Sequence, residues 1–233
     1  MREREFLALL GPSGCGKTTL LNLIAGLLAP TRGTLRWWRA ATPPTEDVQR
    51  RVAYVFQSPT LMPWASIATN VRLPLDLAGR DRAAADPAVA DALALVGLER
   101  FATHVPRELS GGMQMRASIA RALITSPALL LMDEPFGALD EFTRQRLDDE
   151  LLALWRARGM TIVFVTHSIA EAVYLATRIV VMSSRPGRVV DTFDVDAPHE
   201  RGEAWRASPA FTDLSRRIAA SVNAAGLAEL DGR

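Results

Sequence analysis

Disulfide chemistry is absent from this chain: Cys15 is the only cysteine among 233 residues. No internal bridge can form, and a reduced cytosolic setting suits the chain best. A basic surplus is missing too. Twenty-seven Lys and Arg against 26 Asp and Glu leave a net charge of +1. With no basic stripe either, electrostatic capture of nucleic acid is disfavoured. Long apolar runs do not occur. The N-terminal "MREREFLALLG" holds only a short apolar stretch after charged residues, which is neither a signal peptide nor a span. Any service to a membrane would pass through a partner. Internal repeats and low-complexity segments are also lacking, and the alanine-rich "DRAAADPAVADALAL" is good helix former. What remains, 48% hydrophobic and 23% charged residues, is ordinary for a globular chain able to bury a core.

Four short runs are apolar throughout instead of alternating: 6–10, 52–56, 128–132 and 161–165. Separated by helical stretches, they read as parallel strands buried on both faces of an α/β sheet. Each is followed by polar or glycine-rich residues, at the edge where such a sheet presents its ligand site. No strand-like run appears between Gln57 and Pro127, so a helical insertion is expected there. Within it Asp86 and Pro87 look like an N-cap and first helical residue, Val89, Leu93 and Val96 form a stripe, and Gly97 supplies a stop. A late hairpin is expected around Pro186 and Gly187. Ser208 and Pro209 then open a last amphipathic helix carrying Phe211, Leu214, Ile218 and Val222 on one face.

The stretch "GPSGCGKTT" comprises Gly11, Pro12, Ser13, Gly14, Cys15, Gly16, Lys17, Thr18 and Thr19, and its first eight residues fit the P-loop pattern G-x-x-x-x-G-K-[ST]. Its glycines let the backbone curl so that N–H groups cradle phosphate oxygens, and the following helix adds its positive end. Lys17 reaches the β- and γ-phosphates, and the Thr18 hydroxyl ligates Mg²⁺. In "LLLMDE" a buried strand ends on two acids. Unpaired carboxylates there are expensive, which favours Asp133 helping to hold Mg²⁺ and Glu134 polarising water as a general base. His167 closes another strand and can donate to a γ-phosphate oxygen. Gln57 ends "VAYVFQ" with an amide able to contact Mg²⁺ or the attacking water. His104 and His199 read as structural or simply exposed.

A second anion-binding helix start lies in the insertion. Ser110 is a good N-cap for "GGMQMRASIARALI", and Gly111 and Gly112 leave its first N–H groups open to a phosphate. One P-loop already supplies a phosphate site, so this start suggests a site completed by a second copy.

Taken in order, the P-loop, "FQ", "LSGGMQ", "LLLMDEP", "ALD" and "TH" resemble the ATP-binding-cassette (ABC) ATPases over nearly the whole chain. The resemblance implies an α/β P-loop NTPase fold with a mainly parallel sheet and an inserted helical subdomain. Residues 1–57 and 127–195 would form the nucleotide-binding core, 58–126 the helical subdomain with the signature motif, and 196–233 a C-terminal helical tail. It further implies a head-to-tail homodimer with ATP sandwiched between Lys17 and its loop in one subunit and Ser110, Gly111, Gly112, Met113 and Gln114 of the other. Asp140 in "GALD" would help link the two sites. Opposed copies of one chain suit two-fold symmetry. Transmembrane permease subunits would dock between Gln57 and the insertion, placing the chain peripherally on the cytoplasmic face of a bacterial inner membrane. "SPTLMPWASIATNV" and "DEPFGALDEFTR" look like the importer ATPases of the nitrate, sulfonate and taurine group, which serve indirectly with a solute-binding protein.

One departure concerns the N-terminal edge, which is short. The family carries a further stretch with an adenine-stacking aromatic before the P-loop strand, whereas here no aromatic precedes Phe6. The expectation is a true start upstream of Met1; the alternative is a truncated form with weakened ATP affinity. Trp37 and Trp38 are candidates to compensate, though a packing role suits paired tryptophans better. Two rival functions stand beside transport: a non-transport soluble ABC ATPase, and a nucleotide-binding regulator.

Overall fold

The structure, a computed structural model, describes residues 1–35, 52–184 and 186–227. Trp37 and Trp38 lie outside them. The chain forms two compact units, one of Met1–Gly33 and Leu151–Arg233, the other of Thr34–Glu150.

The first unit is organised by strand β1 (Phe6–Leu10), every residue of which is buried. An all-apolar strand of this kind needs parallel neighbours and covered faces. Helix α1 (Lys17–Ile24) leaves the loop that follows β1. In the other half of the unit, β4 (Thr161–Val165) is likewise fully buried, helix α6 is Ile169–Leu175, and β5 is Arg178–Met182. Strand β1 pairs in parallel with β4, Leu9 opposite Val165, and with β5, Leu10 opposite Val181. Strand β6 (Val189–Asp194) turns back antiparallel on β5, as expected for the late hairpin, with a register shift at Val181 and Met182. Phe6 is fully buried and meets Trp155 edge-on at 5.7 Å between ring centroids; truncating such a residue to Ala costs about 3–5 kcal/mol. After the short α7 (Glu203–Arg206), helix α8 (Pro209–Leu227) packs on α6, β5 and β6. The Ser208 hydroxyl accepts from Phe211 N at 3.1 Å, which opens α8 where its sequence indicates, and Ile218 is the fully buried member of its apolar face.

The second unit pairs β2 (Val52–Val55) in parallel with β3 (Leu129–Asp133), Val55 opposite Met132. No strand lies between Gln57 and Pro127, and the segment folds as α2 (Ile67–Leu77), α3 (Arg82–Leu95) and α4 (Gly111–Leu123) with two single 3₁₀ turns. Ile67, Val71, Val89, Leu93, Val96, Leu98 and Leu109 build a local core with Ala117 and Ala120 of α4. The stripe on α3 thus packs inward as its spacing requires, and Gly97, at φ +66°, ends the helix in a left-handed turn.

The start of α3 differs from the sequence expectation. Its N-cap is Asp81, whose carboxylate accepts from Ala84 N at 3.3 Å, and Pro87 sits inside the helix. Ala83, Ala84 and Ala85 propagate a helix nucleated one turn earlier, and this outweighs the N–H that Pro87 lacks. Asp86 is left free to pair with Arg72 at 3.5 Å. Helix α5 (Glu141–Arg158) closes the list of elements.

Candidate nucleotide site

Between β1 and α1 the backbone makes a tight loop in which Gly14 and Gly16 adopt left-handed φ values of 78° and 102°. Residues with a Cβ rarely tolerate that geometry. The loop delivers the chain into the first turn of α1, whose leading N–H groups have no intrahelical acceptor and point outward as an anion cradle. Ser13, Gly14, Thr18 and Thr19 are exposed along this face, while Gly11 and Cys15 are buried. Lys17 is buried as well. Its Nζ donates to the carbonyls of Gly11 at 2.8 Å and Pro12 at 3.1 Å, and lies 3.9 Å from Cys15 Sγ. The ammonium is therefore held over the loop it would serve.

The loop is also backed from behind. A Cβ on Gly187, in the β5–β6 turn, would fall 2.2 Å from the carbonyl oxygen of Cys15. The sequence marks Gly187 only as a turn residue; its close approach to the P-loop has no local signal.

Strands β1 and β4 run parallel and adjacent, so His167 leaves the sheet at the same edge as the P-loop. It is exposed between two fixed neighbours. Thr166, buried, donates to the buried carboxylate of Glu171 and accepts from Ser168 N at 2.9 Å. Ser168 in turn accepts from Glu171 N at 3.3 Å and caps α6. This frame sets the direction of the backbone at His167.

In the second unit β3 ends on Asp133, and Glu134 follows with φ +46°. A non-glycine residue held there stores strain of order 1–3 kcal/mol, which is common where a side chain must be aimed. Gly137 N donates to Glu134 O at 3.1 Å, and Pro135 and Phe136 are buried under the turn. The parallel register brings Gln57 and Glu134, each two residues beyond the Val55–Met132 pair, out at one edge. Tyr54 of β2 donates its phenol to the Asp133 carboxylate. Burial first, then the Asp133 charge and this hydrogen bond, push the Tyr54 pKa from 10.0 up to about 12.

The segment after Gln57 is tied down by two residues that motif reading passed over. Arg121 of α4 donates to Pro59 O at 2.9 Å and to Thr60 O at 2.8 Å. Asn70, fully buried, accepts from Met62 N at 2.7 Å and donates to the carbonyls of Met62, Ala65 and Ser66 within 3.2 Å. A polar residue at an inward position of an amphipathic helix was their only sequence signal.

At the signature stretch Ser110 caps α4, accepting from Met113 N at 3.3 Å. Ser110 and Gly111 are exposed, whereas Gly112 is buried, and a Cβ there would come 2.8 Å from Thr143 Cγ2. Met113 packs against the helical core, and Gln114 Nε2 donates back to Pro106 O at 3.0 Å and Leu109 O at 3.2 Å. Asp140 caps α5: its carboxylate accepts from Thr143 N at 3.0 Å and Thr143 Oγ1 at 2.7 Å, and these donors hold its pKa below the usual carboxylate value. His104 packs edge-on against Phe101, and His199 is exposed.

Among the described residues no three His, Cys, Asp or Glu side chains cluster as a metal site. Mg²⁺ needs no such cluster, since it takes one or two protein oxygens and completes its shell with phosphates and water. Thr18, exposed on the first turn of α1 in the first unit, and Asp133, oriented by Tyr54 in the second, each carry an oxygen of the kind that ion takes.

A family model described as "ABC transporter" matches residues 1–137. The chain belongs to this family. Curated relatives of the cassette include the taurine import ATP-binding protein TauB of Rhizobium johnstonii, 47% identical over 95% of this chain and 85% of that protein, and TauB of Pseudomonas entomophila, 42% identical over 94% and 85%. Among solved structures, the dimeric post-hydrolysis state of the ATP-binding cassette MJ0796 bound to ADP and Pi aligns with TM-score 0.74 and 35% identity, over 85% of this chain and 88% of that one. The cassette is an ABC-type ATPase with the α/β, largely parallel architecture of that family.

Proposed function

We propose that this cassette is the ATP-hydrolysing subunit of a bacterial importer, dimerising head-to-tail on ATP to drive uptake of a small sulfonate- or nitrate-like solute through a partner permease. The observation that carries the reading is the joint presence of a P-loop with Lys17 poised over it and an N-capped, exposed signature start at Ser110 and Gly111. Relatives named for taurine import support the solute class. Among the described residues no helix is long and apolar enough to cross a membrane, which suits a peripheral place on the cytoplasmic face. Solute choice then belongs to the permease and to a solute-binding protein.

Each residue has a task in this reading. Gly11 to Gly16 and the α1 amides bind the phosphates, and Lys17 orients the β- and γ-groups. Ser110 and Gly111 of a second copy close over the γ-phosphate, with Gln114 stiffening that loop, and Asp140 fixes the adjoining helix start. Thr18, Gln57 and Asp133 would hold Mg²⁺, which when bound neutralises phosphate charge. Glu134 takes the proton of the attacking water, and His167 donates to a γ-phosphate oxygen. General-base removal costs about 10²–10⁴-fold in rate. The test is Glu134→Gln: hydrolysis should fall by about that factor while ATP now yields a stable dimer by sedimentation. A Glu134→Gln protein that remains monomeric at saturating ATP would overturn the sandwich.

A further inference from the structure

At the opposite end of the strands from the P-loop, where β1 and β4 begin, the first unit has an open cavity of about 470 Å³. Arg4, Trp155, Arg156, Gly159, His199 and Arg201 are among the residues that line it, and no carboxylate does. Arg4 is anchored there by its backbone: its N donates to Thr161 Oγ1 at 3.1 Å, and its side chain lies over Gly159, where a Cβ would come 3.4 Å from Arg4 Nε. Arg201 is anchored by its side chain, which donates to the carbonyls of Tyr174 and Ala176 at the end of α6.

The charge around this cavity calls for an anion. None of Arg4, Arg156 and Arg201 forms an ion pair among the described residues, and Arg156 repels Arg201 without a carboxylate between them. Burial first, then that repulsion, bring the Arg201 pKa down to about 10. Crowding cations, two of them half-buried, without a counter-charge is costly, and one ligand of opposite charge offsets that cost.

We propose that this cavity is a second anion site of the protein, separate from the nucleotide loop, which binds a small tetrahedral oxyanion of the phosphate or sulfate type. Guanidinium groups recognise such oxygens through paired N–H donors. The proposal does not depend on the transport reading.

The test is calorimetric titration of the full chain with inorganic phosphate and, separately, with sulfate, ionic strength being held constant with chloride. Lys17→Ala should leave this binding intact, because the P-loop lies at the other end of the strands. Arg156→Gln should weaken it by about tenfold or more, the loss expected for a charge-assisted hydrogen bond, while ATP affinity stays unchanged. In chloride alone Arg156→Gln should unfold at the same or a higher temperature than the parent, since the variant relieves repulsion; this separates lost binding from lost folding. Arg4→Gln gives a second reading of the same site. Tighter binding of one anion identifies which oxyanion the cavity prefers. Absence of saturable binding of either anion overturns the proposal, as does binding that disappears in Lys17→Ala and survives in Arg156→Gln.

Discussion

The phenol of Tyr54 donates to the carboxylate of Asp133 across neighbouring strands β2 and β3. Asp133 is the acid at the end of the buried strand, and Tyr54 fixes which way its oxygens face. Where Asp133 helps to hold Mg²⁺ as proposed, its hydrogen-bonding partner should matter about 10–100-fold for affinity or activity. Tyr54→Phe should therefore raise the Mg²⁺ concentration needed for half-maximal hydrolysis by roughly that range, with little change in ATP affinity measured without metal. An unchanged Mg²⁺ requirement would leave Tyr54 with a packing role only, against Phe56 at 4.4 Å between centroids.

The same contact has a pH signature. The Tyr54 pKa stands at about 12 in the fold against the ordinary 10.0 of a tyrosine, so the neutral, donating phenol is the form the fold prefers. Its stabilisation is complete below pH 10 and fades as pH rises through 12. Ultraviolet titration of the parent should show a phenol ionising near pH 12 that Tyr54→Phe abolishes. Binding of Mg²⁺ with ATP should move that transition to lower pH, because a cation beside Asp133 offsets the carboxylate charge. A Tyr54 transition indifferent to Mg²⁺ and ATP would place the metal elsewhere.

Much of the architecture was legible because its signals are local. The apolar runs at 6–10 and 161–165 are buried strands end to end, and the Ser110 and Ser208 caps sit where a hydroxyl before a helix predicts. The α3 start differs from the pattern at Asp86 because two Asp residues compete there. Asp-Pro at 86–87 is the stronger local motif, yet Asp81 with three alanines behind it nucleates first. What no local pattern can reveal is contact between distant segments. Tyr54 with Asp133, Gly187 with Cys15 and Gly112 with Thr143 join motifs to residues that carry no motif of their own. Each holds a functional element in shape without being part of its chemistry.

Gly187 tests that class of contact at the P-loop. A Cβ 2.2 Å from a backbone oxygen cannot be relieved by a side-chain rotation, so either the turn or the P-loop must move. Gly187→Ala should cost about 1–3 kcal/mol of stability and weaken ATP binding measurably in fluorescent-nucleotide titrations. Gly202→Ala is the matched control, since nothing lies within 4 Å of the added methyl. Equal ATP affinity in the two variants would detach the hairpin from nucleotide binding.

The two signature glycines separate by the same logic. Gly112→Ala sets a methyl 2.8 Å from Thr143 Cγ2, whose hydroxyl is held by Asp140. Denaturant unfolding should show a loss of about 1–3 kcal/mol that Thr143→Ser, which removes the clashing methyl, largely restores. Gly111→Ala meets only ordinary contact, 3.7 Å from Leu139 Cδ2, and should keep parental stability while impairing ATP-driven dimerisation. If Gly111→Ala dimerises normally with ATP, the exposed face of the signature start is not where a second copy's phosphate approaches.

Asn70 governs the loop that follows Gln57. Its amide faces three carbonyls while its oxygen takes Met62 N. Asn70→Asp preserves the shape and that one bond but turns a carboxylate oxygen toward the carbonyls, where no donor remains. Each orphaned buried group costs about 1–3 kcal/mol, so Asn70→Asp should destabilise at least as much as Asn70→Ala despite being nearly isosteric. Hydrogen exchange should quicken at Met62, and at Ile67 as the start of α2 loosens, before the rest of the helical core follows. Hydrolysis should decline with it, since Gln57 then hangs from a loop with fewer anchors. Parental stability in Asn70→Asp would show that the loop is held by Arg121 alone.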